Sequence, residues 1–388
     1  VEICKLRLFL KLVAQVEKVS QIEPLPDIDF NIRAGNTLVG YATLDQVRKS
    51  QEGKLGFTDK LVNRIEEDAE MVEKAFRQFR AQQTTHGGKV TRKDKQELRT
   101  RLAKLDAELD RYLAGEYGIS SDNYRSQAAY DQAFAKWKTS HEPFHWFVEF
   151  YGIMATGGFD VIIGNPPYVA SAKVRKAYSV IGYQTDRCTD IYAWCLERVS
   201  QLAHERAYTG MIVPLSLTFS GDFSSLRALL YSAYRSNWFS SFGRIPAALF
   251  AHDVRVRNTI HLGAKHGDGC QYASRLHRWF DVERPHLLSA MSYGSFEPSR
   301  WEGRVPKLNT AAVIKAFESV ASRGKKLEYV LADRPTKYAL HFKKTAYNWL
   351  NFCRKLPPCY DENGKPIAHT QFDTIAIPTA EARDALLL

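Results

Sequence analysis

The 388 residues contain nothing close to the roughly 18 consecutive apolar residues that a membrane-spanning helix needs, which excludes such a helix. Cysteine is sparse and scattered, at Cys4, Cys188, Cys195, Cys270, Cys353 and Cys359. No pair has C-x-x-C spacing, so a zinc ribbon or a redox pair of that type is excluded, and a reducing cytoplasm is the expected compartment. Internal repeats and low-complexity tracts are also lacking. The composition that remains is 45% hydrophobic and 12% aromatic, which excludes intrinsic disorder for most of the chain. The length suffices for one large domain or two to three ordinary ones.

Acidic residues are outnumbered, with 43 Asp and Glu against 54 Lys and Arg and a net charge of +11. Residues 165–310 hold 18 Lys and Arg against 11 Asp and Glu, so much of the excess lies in one region. A positive field of this kind favours a polyanionic partner.

Val1, not Met, opens an apolar periodic stretch (Ile3, Leu6, Phe9, Leu10, Val13, Val16) that reads as a helix already under way, with no cap before it. The last residues, Ala385 to Leu388, stop inside another apolar run, so the sequence is read as an internal fragment of a longer protein. After Pro24-Leu25-Pro26, residues 30–38 read as a short strand ending in a turn. Phe159-Asp160-Val161-Ile162-Ile163 is a β-branched run entered from Gly157-Gly158 and stopped by Gly164, the pattern of a buried parallel strand. A helix from Asp190 to His204, a strand Gly210 to Pro214 and a helix around Asp222 to Arg235 follow. Their alternation predicts an α/β fold with a mostly parallel, doubly wound sheet.

Residues 44–140 are too long for an ordinary loop. Leu98, Leu102, Leu105, Leu109 and Tyr112 recur at spacings of four and three, and Gly115 ends them. Val62, Ile65, Ala69, Val72, Phe76 and Phe79 form a matching stripe. Two antiparallel helices joined near Gly87-Gly88 would bury the stripes against each other, forming a spacer or protein-contact arm, with a DNA-contacting role as the alternative.

The string that carries chemistry is Phe159 to Ile163 followed by Gly164-Asn165-Pro166-Pro167-Tyr168. An apolar strand delivers an amide, two prolines and an aromatic to its carboxyl end, where open α/β sheets place their ligands. Tyr168 offers a flat face for stacking on a base, and the prolines fix the turn without adding donors. An exocyclic amine is a poor nucleophile because its lone pair is delocalised. The Asn165 amide oxygen and the Pro166 carbonyl could accept its two hydrogens and aim the lone pair at an electrophile, with orientation and preorganised electrostatics as the catalytic terms.

With these residues the sequence resembles the adenine-N6 DNA methyltransferases that carry an Asn-Pro-Pro-Tyr motif, and among them the long enzymes of type IIG restriction–modification systems. Val1 to Leu8 looks like the helix after the family's acidic cofactor strand, and Ala34-Gly35-Asn36-Thr37-Leu38 looks like the next cofactor-side strand end. Pro143-Phe144-His145-Trp146-Phe147, Asp190-Ile191-Tyr192, Ile212-Val213-Pro214 and Arg255-Val256-Arg257-Asn258 look like further segments of the same enzymes. The resemblance implies a partial Rossmann-like class I methyltransferase sheet with a helical insertion and the start of a C-terminal target-recognition region. On that plan residues 1–43 are the first part of the methyltransferase domain and 44–140 the insertion. Residues 141–272 are the catalytic part, and 273–388 begin the recognition region.

The resemblance further implies S-adenosylmethionine as cofactor and a flipped adenine of double-stranded DNA as substrate. Asn165, Pro166, Pro167 and Tyr168 are the implied catalytic residues. Tyr168 would stack on the base, Phe250 would close its other face, with Phe242 and Phe219 as fallbacks, and Asn36 would contact the cofactor. No metal is implied. The family's glycine-rich cofactor turn does not occur in these residues and would precede Val1, so the chain alone is expected to show little activity. Any fused endonuclease would lie outside it.

Other readings remain open: methylation of a protein glutamine amide, methylation of RNA, or a DNA-recognition fragment without catalysis. For the last, Arg275, Arg278, Trp279, Arg284, Arg300, Trp301 and Arg304 are candidate contacts or ordinary surface and core. His141-Glu142-Pro143-Phe144-His145 matches a zinc-protease string, but Pro143 breaks the helix that chemistry needs. Asp27 with Glu52 and Lys54 has nuclease-like spacing without a strand to carry it.

Overall fold

The computed structural model describes residues 1–18, 32–51, 63–74, 77, 92–250, 256–324, 327–344, 352–369 and 371–387. The Asp27, Glu52 and Lys54 combination, Phe76, Phe79 and the Gly87-Gly88 joint lie outside them. The chain divides into two compact units, residues 1–311 and 312–388.

In the first unit the N-terminal periodicity forms helix α1 (Glu2–Val13), none of whose residues is buried. Among the described residues, the stretch read as a strand over 30–38 pairs through a single bridge, Asn36 to Pro143. It is nonetheless stitched to the segment before the central strand: Phe144 N–H donates to the Val39 carbonyl at 2.8 Å and Trp146 N–H to that of Tyr41 at 2.9 Å. Gly40 lies between these bonds with φ +128°, and a Cβ there would fall 2.1 Å from the Phe144 oxygen, so only glycine lets the two backbones approach.

Helix α2 (Leu44–Gln51), the helical residues 63–74, α3 (Arg92–Glu116) and α4 (Gln127–His141) make up the insertion. Ile65, Ala69 and Val72 enter one apolar core with Leu102, Leu105 and Leu109, which joins the two stripes. Ser126 caps α4 through its side chain, accepting the Ala129 N–H, and Glu142 ends it at φ 45°.

The central sheet has six strands: β1 (Phe159–Gly164), β2 (Ala203–Pro214), β3 (Ser236–Phe242), β4 (Asn258–Ala264), β5 (Gln271–His277) and β6 (Gly294–Phe296), in the order β1-β2-β4-β3-β5-β6. It is mixed, not mostly parallel. β1 with β2 and β3 with β5 run parallel, while β4 lies antiparallel to both β2 and β3, and β6 is antiparallel to β5. β3 and β4, which precede and follow the segment 244–250, are paired over seven residues.

Helices α5 (Tyr192–Leu202) and α6 (Ser224–Ala233) supply the apolar cover of one sheet face. Tyr192 and Leu196 of α5 meet Leu226 and Leu230 of α6 and Met211, Val213 and Phe239 of the sheet, while Trp194 faces the insertion core. Burial of both flanks also takes in Glu197 and Arg198, which are met by Thr185 and by the Leu38 and Gly40 carbonyls. β1 departs from the expected fully buried strand: as an edge strand with a single neighbour, it exposes 61% of Val161 and 80% of Ile163.

The second unit contains a three-stranded antiparallel sheet in which β7 (Tyr338–Lys343) lies between β8 (Phe352–Cys353) and β9 (Phe372–Ile377). Among the described residues no helix is long and apolar enough to cross a membrane, and all six cysteines are free.

Candidate active site

The chain leaves β1 at Gly164, which pairs with Met211 of β2, and enters the turn Asn165-Pro166-Pro167-Tyr168 at the carboxyl end of the two parallel strands. Gly164 leaves little space, since a Cβ would stand 3.1 Å from the Met211 sulfur. Asn165 is exposed, and its side chain forms no hydrogen bond to the described residues.

Tyr168 is half-buried and held at its far end. Its hydroxyl donates to the Ile212 carbonyl at 2.9 Å and accepts from Asn258 Nδ2 at 3.2 Å. Burial, offset in part by that Asn258 bond, pushes the phenol up to about 12, so it stays protonated and able to donate.

The exit of the turn is fixed by Asp190. One carboxylate oxygen, Oδ1, accepts the Val169 N–H at 3.1 Å and the Tyr192 N–H at 3.3 Å. Ile191 N–H returns to the Val169 carbonyl at 3.0 Å, and Ser171 N–H to Thr189 at 3.0 Å. Burial raises the Asp190 carboxyl above its usual range, and the backbone donors pull it back. Tyr192, fully buried, stacks on Phe223 at 4.8 Å and hydrogen-bonds Ser216 at 3.1 Å, which packs the start of α5 against the end of β2. Asp190 and Asn258 were legible only as parts of quoted segments, and nothing in the sequence alone indicated that both reach the Asn-Pro-Pro-Tyr turn.

Phe250 is half-buried, and no ring contact between it and Tyr168 occurs among the described residues; residues 251–255 lie outside them. Phe242, a fallback for the same role, is fully buried with Ala247, Trp279 and Leu287 and serves as core. Phe219, the other fallback, is 50% exposed with the Lys307 ammonium 5.0 Å from its ring centre. Burial, with Arg257 nearby, brings the Lys307 amine down to about 8. Among the basic and aromatic candidates further on, Trp279 is core, covered by the Arg284 guanidinium at 4.7 Å, and Arg284 also binds the Leu249 and Ala248 carbonyls.

Asn36 is more than 100 residues away in sequence. Its Oδ1 accepts the Leu38 N–H at 3.2 Å. His141 and His145 serve separate purposes. His141 stacks on Trp137 at 5.4 Å, whereas buried His145 accepts the Tyr41 N–H at Nδ1 and faces Asp110 with Nε2 at 3.2 Å.

The model of the Eco57I restriction-modification methylase family matches residues 1–246. A protein of Methanocaldococcus jannaschii, named as a type II restriction enzyme and methyltransferase, is 27% identical over 264 residues, which is 60% of this chain and 22% of that protein. The chain therefore spans about a fifth of the length of that relative. Among solved structures, the DrdV–DNA complex is 15% identical, covering 36% of this chain and 17% of that one, with a TM-score of 0.30. The type IIG restriction endonuclease BpuSI is 14% identical, covering 50% and 25%, with a TM-score of 0.26.

Proposed function

The chain belongs to the Eco57I restriction-modification methylase family, and from that premise we propose that it carries the catalytic part of a type IIG, site-specific adenine-N6 DNA methyltransferase. The observation that carries the reading is Asn165: an exposed amide without a hydrogen bond to the described residues, at the carboxyl end of a parallel strand pair, three residues before a tyrosine held by two hydrogen bonds.

In this reading the target adenine is flipped out of the duplex and stacks on Tyr168, with Phe250 closing the other face. The Asn165 oxygen and the Pro166 carbonyl accept the two N6 hydrogens. Those bonds strengthen as the nitrogen becomes tetrahedral, so they stabilise the transition state more than the ground state. The two prolines hold the acceptors at fixed backbone angles, which limits the reorganisation needed at the moment of transfer. Asp190 keeps the exit of the turn in register.

S-adenosylmethionine is the proposed cofactor and supplies an electrophilic methyl group. Within this chain, Asn36 would contribute to holding it, through the hydrogen-bonding capacity that the Leu38 N–H leaves. That is one contact and not a complete cofactor site, so every step above is carried by the chain's own residues. The division into 1–43, 44–140, 141–272 and 273–388 belongs to the same proposal.

The test is to incubate the complete protein with DNA and methyl-labelled S-adenosylmethionine, then identify the modified nucleoside by mass. N6-methyl-2′-deoxyadenosine supports the reading. A labelled cytosine, a labelled glutamine of a protein acceptor, or label in RNA alone overturns it.

A further inference from the structure

Asn258 opens β4 in register with Pro214 of β2 and Phe242 of β3, in the interior of the six-stranded sheet, and it is completely buried. Asparagine is a poor choice for a buried strand position, where β-branched and aromatic residues fit better. Here it is also incompletely satisfied. The Nδ2 group donates to Tyr168 at 3.2 Å and lies 3.5 Å from the Val213 carbonyl, while the buried Oδ1 atom has no partner among the described residues. A buried carbonyl left unpaired is destabilising, and an apolar residue at this position would avoid that loss. What asparagine provides in return is a donor aimed at the Tyr168 hydroxyl.

We propose that Asn258 is a positioning residue for Tyr168, a role that rests on reading Tyr168 as the stacking platform of the site. The phenol oxygen is held from two sides, donating to Ile212 of β2 and accepting from Asn258 of β4. β2 and β4 are paired over seven successive residues, so both holding points belong to one rigid ladder. A ring fixed at its backbone and again at its far end has one orientation left. A planar acceptor stacked on that ring inherits its tilt, and with it the direction of the amine relative to Asn165. Sequence places these partners 90 residues apart, and only the antiparallel insertion of β4 beside β2 brings them together.

The test is a double-mutant cycle in the complete protein, using Tyr168→Phe, Asn258→Leu and the double variant. Single-turnover transfer is measured on whichever acceptor the wild type methylates. Asn258→Leu should slow transfer by about tenfold with DNA binding unchanged, the scale of one well-placed hydrogen bond. In the Tyr168→Phe background, where no hydroxyl remains, the same substitution should change the rate by less than about twofold. Equal slowing in both backgrounds overturns the proposal. Asn258→Ala replaces Asn258→Leu if the larger side chain prevents folding.

A second readout does not depend on activity. With 3-fluorotyrosine at position 168, Asn258→Leu should shift and broaden the fluorine resonance as the ring gains freedom. An unchanged resonance overturns the role of Asn258 even if the enzyme methylates adenine. A wild type that modifies some other acceptor, together with a shifted resonance, instead removes the adenine reading and leaves the Asn258 role in place.

Discussion

Asp190 Oδ1 lies 3.1 Å from the Val169 nitrogen, so the residue that follows the Asn-Pro-Pro-Tyr turn is held by the lead-in to the helix behind it. The same oxygen accepts the Tyr192 N–H, which makes one carboxylate the joint between the turn and α5. Asp190→Ala leaves both N–H groups without that acceptor in a half-buried setting, at a cost of about 1–3 kcal/mol of stability. Asp190→Asn keeps an acceptor oxygen and should restore most of it. Thermal unfolding of the two variants checks this, and equal losses would show that the bonds to Val169 and Tyr192 are not what Asp190 contributes.

Asp106 predicts a pH dependence. Burial first, then the charges of Glu149 and Asp110, raise its carboxyl to about 8 against the opposing Lys138; His145 sits on Asp110 close by. The unfolded carboxyl titrates near its usual value, so between that value and about 8 the folded state holds a proton that the unfolded state has released. Folding stability therefore falls as pH rises through this window, by roughly 1.4 kcal/mol per unit for this group, and levels off above it. Asp106→Asn is neutral throughout and should lack this slope. Its stability relative to wild type, followed from pH 5 to 9, should climb to about pH 8 and then flatten. Parallel curves would contradict the assignment.

Lys307 bears on the proposed DNA contact. Its amine titrates near 8 and lies over the half-exposed Phe219 ring. Below that pH it is cationic and able to meet a phosphate; above it the charge is lost. DNA affinity at fixed salt should thus weaken between pH 7 and 9. Lys307→Arg should remove this pH dependence, and Lys307→Met should lower the slope of log affinity against log salt by about one. An unchanged salt slope in Lys307→Met would place the lysine away from DNA.

The parts of the fold that were legible are those where apolar pattern and backbone punctuation agree. β1 is a β-branched run between glycines, and α5, α6 and the two stripes of the insertion follow helical spacing. β3 was missed for a physical reason. Its buried positions include Ser236, Asn237, Ser240 and Ser241, so it lacks a hydrophobic signature. Most of these side chains find polar partners, as when Asn237 bonds Gln271 at 2.8 Å and His261 at 2.7 Å and Ser236 bonds Asp268 at 2.8 Å, while the Ser241 hydroxyl has none among the described residues. Without that strand the antiparallel path of β4 stayed hidden and the sheet read as mostly parallel. At the site, the local string Asn165 to Tyr168 was readable from its neighbours. Asn258 and Asp190 act through contacts set by tertiary structure, which no local spacing encodes. At Trp279 the basic and aromatic neighbours left contact and core both open, and the structure makes the ring core.

The central claim is that the Asn165 amide acts on the amine during transfer and contributes little to holding DNA. Single-turnover methylation by the complete protein carrying Asn165→Ala, at saturating DNA and cofactor, tests this most directly when DNA affinity is measured alongside. Phosphate contacts dominate DNA affinity, so binding should stay near wild type. The transfer rate should fall by about two to three decades, the usual loss when one preorganised partner is removed. A wild-type transfer rate in Asn165→Ala would contradict the account.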